Sequence, residues 1–187
     1  MRAPGRVRII AGRLRGSRLD VPVFPGLRPT PDRLRETLFN WLAPYIEGAR
    51  CLDLFAGTGA LGIEALSRGA GDTLFIERDT ALAQALRANL ARLKLDAIVH
   101  QASALAWLGG TPRAFDLVFL DPPFDDLLWR PVLAGLDRPG WLAANALIYM
   151  ESPRELTIDA GPGWVLQREA CVGAVRGALY RRAAALG

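Results

Sequence analysis

An α/β fold with a mostly parallel, seven-stranded sheet is predicted by three observations. From Arg50 onward, short apolar runs alternate with helical segments, which implies parallel strands with helices on both faces. The apolar run over residues 51–55 opens at once into a glycine-rich turn, with Asp53 four residues before its first glycine. Towards the C-terminus the alternation stops: residues 164–171 and 174–182 are both strand-like with only Val172-Gly173 between them. So short a connection closes an antiparallel hairpin and leaves no room for a crossover.

The elements follow in order. Residues 6–11 and 18–23 are strand-like and flank Gly12-Arg13-Leu14-Arg15-Gly16, so residues 1–25 are expected to form a small, basic N-terminal β-hairpin extension. Pro22, Pro25, Gly26 and Pro29 then read as a linker into the main domain, residues 26–187. Thr30 before Pro31 supplies an N-cap and a first-turn proline for a helix in which Leu34, Leu38 and Leu42 form an apolar stripe. Arg33, Thr37 and Asn40 line another face of it. The strands of the main domain are expected at 51–55, 73–77, 97–101, 115–121 and 146–151, with helices at 60–68, 80–95, 103–108 and roughly 126–136.

Composition narrows the function classes. The 187 residues suffice for one domain with a sizeable core, and 51% apolar against 22% charged residues excludes disorder over most of the length. No apolar run approaches the roughly 20 residues of a membrane helix. The basic N-terminus leads into no signal-type stretch, so a cytoplasmic protein is expected. Cys51 and Cys171 lie in apolar contexts and read as small core residues; with His100 the only histidine, no metal site is expected. Residues 1–35 hold nine arginines against Asp20 and Asp32, a local net charge of +7, while the remainder sums to −3.

Gly57-Thr58-Gly59-Ala60-Leu61-Gly62 stands between a strand and a helix, the context in which such a string marks a nucleotide-type ligand. Its glycines let the backbone approach a ligand with no Cβ in the way. Glu77 ends the next strand, where a carboxylate can accept from two ribose hydroxyls. A nicotinamide dinucleotide and S-adenosyl-L-methionine both fit this far. Three features favour S-adenosylmethionine: Asp53, placed to meet the amino group of a methionine moiety; the C-terminal hairpin, unlike a sixth parallel strand; and the residues after the fourth strand. Ser103 and Ala104, after the third strand, are expected by the adenine on position alone.

Those residues after the fourth strand are Asp121-Pro122-Pro123-Phe124. The exocyclic amine of a purine is a poor nucleophile because its lone pair is delocalised into the ring. Asp121 can accept one of its N–H groups and the Pro122 carbonyl the other, which favours a more tetrahedral nitrogen. Pro122-Pro123 fixes φ and offers no backbone donor, so the local polarity suits an NH2 group. Phe124 can stack on the base, and a base paired in a duplex has to swing out to reach such a pocket.

On these residues the chain resembles the bacterial 16S rRNA guanine-N2 methyltransferases. The likeness covers nearly the whole chain: Arg8 to Gly12 with Arg15-Gly16, Arg28-Pro29-Thr30, Asp32-Arg33, the stretch Arg35-Glu36-Thr37-Leu38-Phe39-Asn40-Trp41-Leu42, Asp53 to Gly62, Glu64-Ala65-Leu66-Ser67-Arg68, and Asp121 to Phe124. The resemblance implies a Rossmann-like class I S-adenosylmethionine-dependent methyltransferase carrying an N-terminal hairpin. It also implies 16S rRNA in the 30S small ribosomal subunit as partner, Asp121 to Phe124 on the target base, and Asp53, Gly57, Gly59 and Glu77 on the cofactor. Arg8, Arg13, Arg15, Arg18, Arg33 and Arg35 are then expected on RNA phosphates, with Arg33 and Arg35 alternatively at the cofactor carboxylate or supporting the site. A monomer is expected.

The same acceptor pair suits a DNA adenine-N6 or protein glutamine-N5 methyltransferase, although 187 residues leave little room for a DNA-recognition module. A non-catalytic rRNA-binding assembly factor is the rival from another class, opposed by the intact glycines, Glu77 and Asp121. A nicotinamide dehydrogenase comes third.

Overall fold

The protein is described by a computed structural model over residues 5–23 and 30–183. The expected linker residues Pro25, Gly26 and Pro29, with them the boundary between residues 25 and 26, and Arg28 of the resemblance lie outside the described residues.

β1 (Gly5–Arg8) and β2 (Arg18–Val21) form the N-terminal hairpin, with Arg6 opposite Asp20 and Val7 opposite Leu19. The strands alternate, so that Val7, Leu19 and Val21 face inward and the arginines outward. β1 stops short of residue 11 because the Ile10 and Ala11 amides turn away from β2 to a carboxylate. α1 (Asp32–Leu42) buries the expected stripe of Leu34, Leu38 and Leu42 completely, each worth about 1.5–3 kcal/mol of burial.

The main sheet has the order β5-β4-β3-β6-β7-β9-β8. β3 (Arg50–Asp53), β4 (Asp72–Glu77), β5 (Ile98–Gln101), β6 (Phe115–Leu120) and β7 (Leu142–Pro153) are mutually parallel. β9 (Val175–Arg182) inserts antiparallel between β7 and β8 (Trp164–Val172) and completes the seven strands. α1, α2 (Ala60–Ser67) and α3 (Thr80–Arg92) cover one face. α4 (Ala104–Leu108) and α5 (Trp129–Leu136) cover the other, around Val118, Leu120, Ile148 and Trp141. The chain order reverses between β3 and β6, and ligands of open α/β sheets collect at the carboxyl ends beside such a switch point.

Two expectations are corrected. The helix expected over 126–136 is divided: a 3-10 turn, Phe124–Asp126, ends in a left-handed Leu127, and α5 begins only at Trp129. Cys51 is a core residue, its thiol pushed up to about 12 by burial, but Cys171 is exposed on the edge strand β8. No described helix is long and apolar enough to cross a membrane.

Candidate active site

β3 and β6 lie side by side with Asp53 opposite Phe119, so Asp53 and the residues after Leu120 come out at the same edge. Asp53 is buried and accepts the Gly62 N–H at 3.1 Å, which ties it to the first turn of α2. The chain turns there through Gly57 at φ 52° and Gly59 at φ 77°, left-handed values that favour glycine. A Cβ on Gly59 would also lie 2.3 Å from Leu86 Cδ1. Glu77 braces the same turn: Oε2 accepts from the Gly57 amide at 2.8 Å and Oε1 from the Asp79 amide at 2.7 Å. A second lone pair on each oxygen is left for ribose hydroxyls.

Burial pushes the Asp53 carboxyl up to about 7, helped by the charges of Glu77 and Glu151 and opposed by the N–H groups of Gly62 and Phe55. Asp121 is half-buried and held well above the usual carboxylate range by desolvation first, then by Glu151, then by Asp53. Asp121 thus feels two further acids, Glu151 and Asp53, at one rim, which suits a ligand that carries positive charge. S-adenosylmethionine, with an ammonium and a sulfonium, matches this donor-poor, acid-rich edge, and its adenosine end matches the glycine cradle and Glu77.

Asp121-Pro122-Pro123-Phe124 leaves β6 at that rim, with Pro122 buried and Pro123 exposed. The half-buried Phe124 ring lies 6.0 Å from that of Trp129, which fixes its tilt. Trp129 Nε1 donates to the Glu151 carbonyl at 2.8 Å and pins the loop to β7.

Glu151 is the site residue that sequence reasoning missed. It ends up one step past the Leu120–Met150 pair of adjacent parallel strands, beside Asp121, and is buried. It accepts from Thr30 Oγ1 at 2.6 Å and from the Tyr149 hydroxyl at 3.1 Å. Desolvation pushes its carboxyl up to about 7, with the Thr30 and Tyr149 hydrogen bonds and the Arg35 charge holding it down. Thr30 is therefore not the expected N-cap: the residue before α1 is Pro31, no side chain caps the helix, and the threonine hydroxyl serves Glu151. Ser103 caps α4 by accepting from the Ala106 amide at 3.3 Å, while Ala104 packs in the core; the structure gives both a local duty.

The hairpin is docked firmly. Glu64 on α2 accepts from Ile10 N at 2.8 Å, Ala11 N at 3.0 Å and Arg68 Nε at 2.7 Å. Ser67 Oγ accepts from Leu14 N and donates to Ala11 O, and Asn89 exchanges two hydrogen bonds with the Asp20 backbone. Arg8, Arg13, Arg15, Arg18 and Arg33 are exposed. Arg35 is a correction. Its side chain is fully buried, donates to Arg8 O and Asp32 Oδ1, and faces Glu64 at 3.7 Å, so it holds the hairpin to α1 and cannot reach a phosphate from there.

The family described as Conserved hypothetical protein 95 matches residues 7–181. The ribosomal RNA small subunit methyltransferase D of Escherichia coli K12 is 51% identical over 96% of this chain and 92% of that protein. The protein of the same name from Haemophilus influenzae is 45% identical over 96% and 95%. Among solved structures, a methyltransferase from Escherichia coli superposes with a TM-score of 0.86 at 50% identity, covering 96% of this chain and 99% of that one. An S-adenosylmethionine-dependent methyltransferase from Streptococcus mutans shares the fold at 15% identity, with a TM-score of 0.73 over 97% of this chain and 56% of that one. With half its residues shared across nearly the full length of both proteins, the chain belongs to the ribosomal RNA small subunit methyltransferase D family.

Proposed function

We propose that the protein methylates the exocyclic N2 of a guanine in 16S rRNA, presented by the small ribosomal subunit. The observation that carries this reading is the placement of the Asp121-Pro122-Pro123-Phe124 clamp at the same sheet edge as Asp53 and the Gly57–Gly59 turn. The names of the relatives supply the class of RNA.

Bound S-adenosylmethionine would supply an electrophilic methyl group. Asp53 would hold its amino group, the Gly57–Gly59 backbone and Glu77 its adenosine, and Ser103 and Ala104 would lie by the adenine. Asp121 and the Pro122 carbonyl accept the two N–H groups of the guanine amine, freeing the nitrogen lone pair, and Phe124 stacks on the ring. On accepting that methyl group the amine nitrogen would pass one proton to the Asp121 carboxylate to which it donates. Holding amine and methyl in line accounts for much of the rate. Arg8, Arg13, Arg15, Arg18 and Arg33 contact the RNA backbone. We place the protein in the cytoplasm as a monomer.

Small-subunit particles from a strain lacking the protein are the test. Incubation with the protein and labelled S-adenosylmethionine should mark one guanine at N2; label confined to DNA or to protein would sink the assignment.

A further inference from the structure

Leu127 is the most exposed large apolar side chain among the described residues, at 65%. It also adopts a left-handed backbone, φ 49° and ψ 39°, which glycine or asparagine adopts at lower cost. The other described non-glycine residue of positive φ, Lys94, follows the end of α3, where such a conformation is common and a polar side chain reaches water. Leu127 likewise ends a turn, Phe124–Asp126, but as leucine it gains neither backbone ease nor burial. Strain combined with an exposed apolar side chain, next to a reaction site, points to a contact made with a ligand.

The loop holds that side chain out. The Asp126 amide donates to Pro123 O at 3.0 Å, and Arg78 Nη1 donates to Asp126 Oδ2 at 2.9 Å, anchoring the turn to the end of β4. Arg78, paired with Asp126, and Arg130, three residues on from Leu127, are exposed and suited to phosphates, while the exposed Asp125 repels a phosphate at the tip itself. The tip therefore suits the flat, uncharged face of a base. A base that leaves its stack exposes the faces of its two neighbours, and inserted leucine-type side chains fill such gaps elsewhere.

We propose that Leu127 enters the RNA stack beside the target guanine and fills the gap left when that base swings into the Asp121 clamp. The proposal rests on the methyl-transfer reading above.

The test compares Leu127→Gly with Leu127→Met on unmethylated small-subunit particles. Glycine relieves the backbone and removes the wedge. It should lower kcat/KM on the order of 10- to 100-fold while S-adenosylmethionine affinity by calorimetry stays unchanged and the unfolding midpoint is equal or higher. Methionine keeps an apolar wedge and should stay within about threefold of the parent protein. Full activity in the glycine variant, or equal losses in both variants, would overturn the wedge. A parent protein that binds S-adenosylmethionine yet leaves the particles unmethylated would remove the acceptor assignment itself and the wedge with it.

Discussion

Asp121 and Glu151 stand next to each other at the ends of two parallel strands, one residue beyond the Leu120–Met150 pair, and the Glu151 charge adds to the desolvation that keeps Asp121 from ionising easily. The acid proposed to face the substrate is therefore tuned by a neighbour that hydrogen-bonds Thr30, at the start of α1.

Replacing Glu151 with Gln removes one like charge while keeping an acceptor for Thr30. Asp121 should then ionise at lower pH, and the acid limb of kcat/KM should move to lower pH. An unmoved limb in the pH–rate profile would show that Asp121 ionisation does not limit the reaction.

Asp121→Asn puts a donor where the substrate amine also donates. Turnover on small-subunit particles should fall by about 10²–10³-fold, with S-adenosylmethionine binding preserved in calorimetry. A variant with parental turnover would end the acceptor role.

Asp53, proposed to hold the cofactor's amino group, should make cofactor binding depend on pH. Its folded-state value of about 7 exceeds the unfolded one, so the contribution of this group to stability is present at low pH and declines as pH rises from about 4 to about 7. A positively charged ligand prefers the ionised form, so its affinity runs the other way. S-adenosylmethionine should bind about tenfold more tightly near pH ~8 than near pH ~6. Isothermal titration at the two values checks this, and a flat profile would separate Asp53 from the amino group.

Gly12 and Gly16 both have positive φ, at 80° and 84°, but differ in surroundings. A Cβ on Gly12 would lie 1.9 Å from Ser67 O, and one on Gly16 would meet nothing within 4 Å. Gly12→Ala should cost about 1–3 kcal/mol in urea unfolding and weaken RNA binding, whereas Gly16→Ala should cost about 1 kcal/mol and leave binding nearly intact. Equal effects would mean that packing against α2 does not hold the hairpin.

Arg13, Arg15 and Arg18 replaced together by Ala should make RNA binding less salt-dependent, by about 0.7 in the log–log slope for each phosphate no longer neutralised. Filter binding across a salt series measures it, and a preserved slope would return these side chains to solvent.

The parallel core was legible because its strands are continuous apolar runs and its helices carry their own periodicity, as with Leu34, Leu38 and Leu42. The clamp and the glycine turn were legible because each is contiguous in the chain. What escaped depends on partners far apart in sequence. Thr30 looks like a cap until Glu151, 121 residues away, takes its hydroxyl. Glu151 itself looks like a solvated strand end. Arg35 reads as one more member of a basic face, and only the fold brings it against Glu64. The left-handed Leu127 that breaks the expected helix carries no glycine or asparagine to announce it.

α2 is only eight residues long, a rod of about 12 Å. Its first turn anchors Asp53 through Gly62, and its last turn grips the hairpin through Glu64 and Ser67. The two surfaces proposed to bind RNA and methyl donor share one short beam, so sequence changes at its opposite ends should not combine as independent increments. A lineage that altered its RNA grip would have to retune its grip on the methyl donor at the same time.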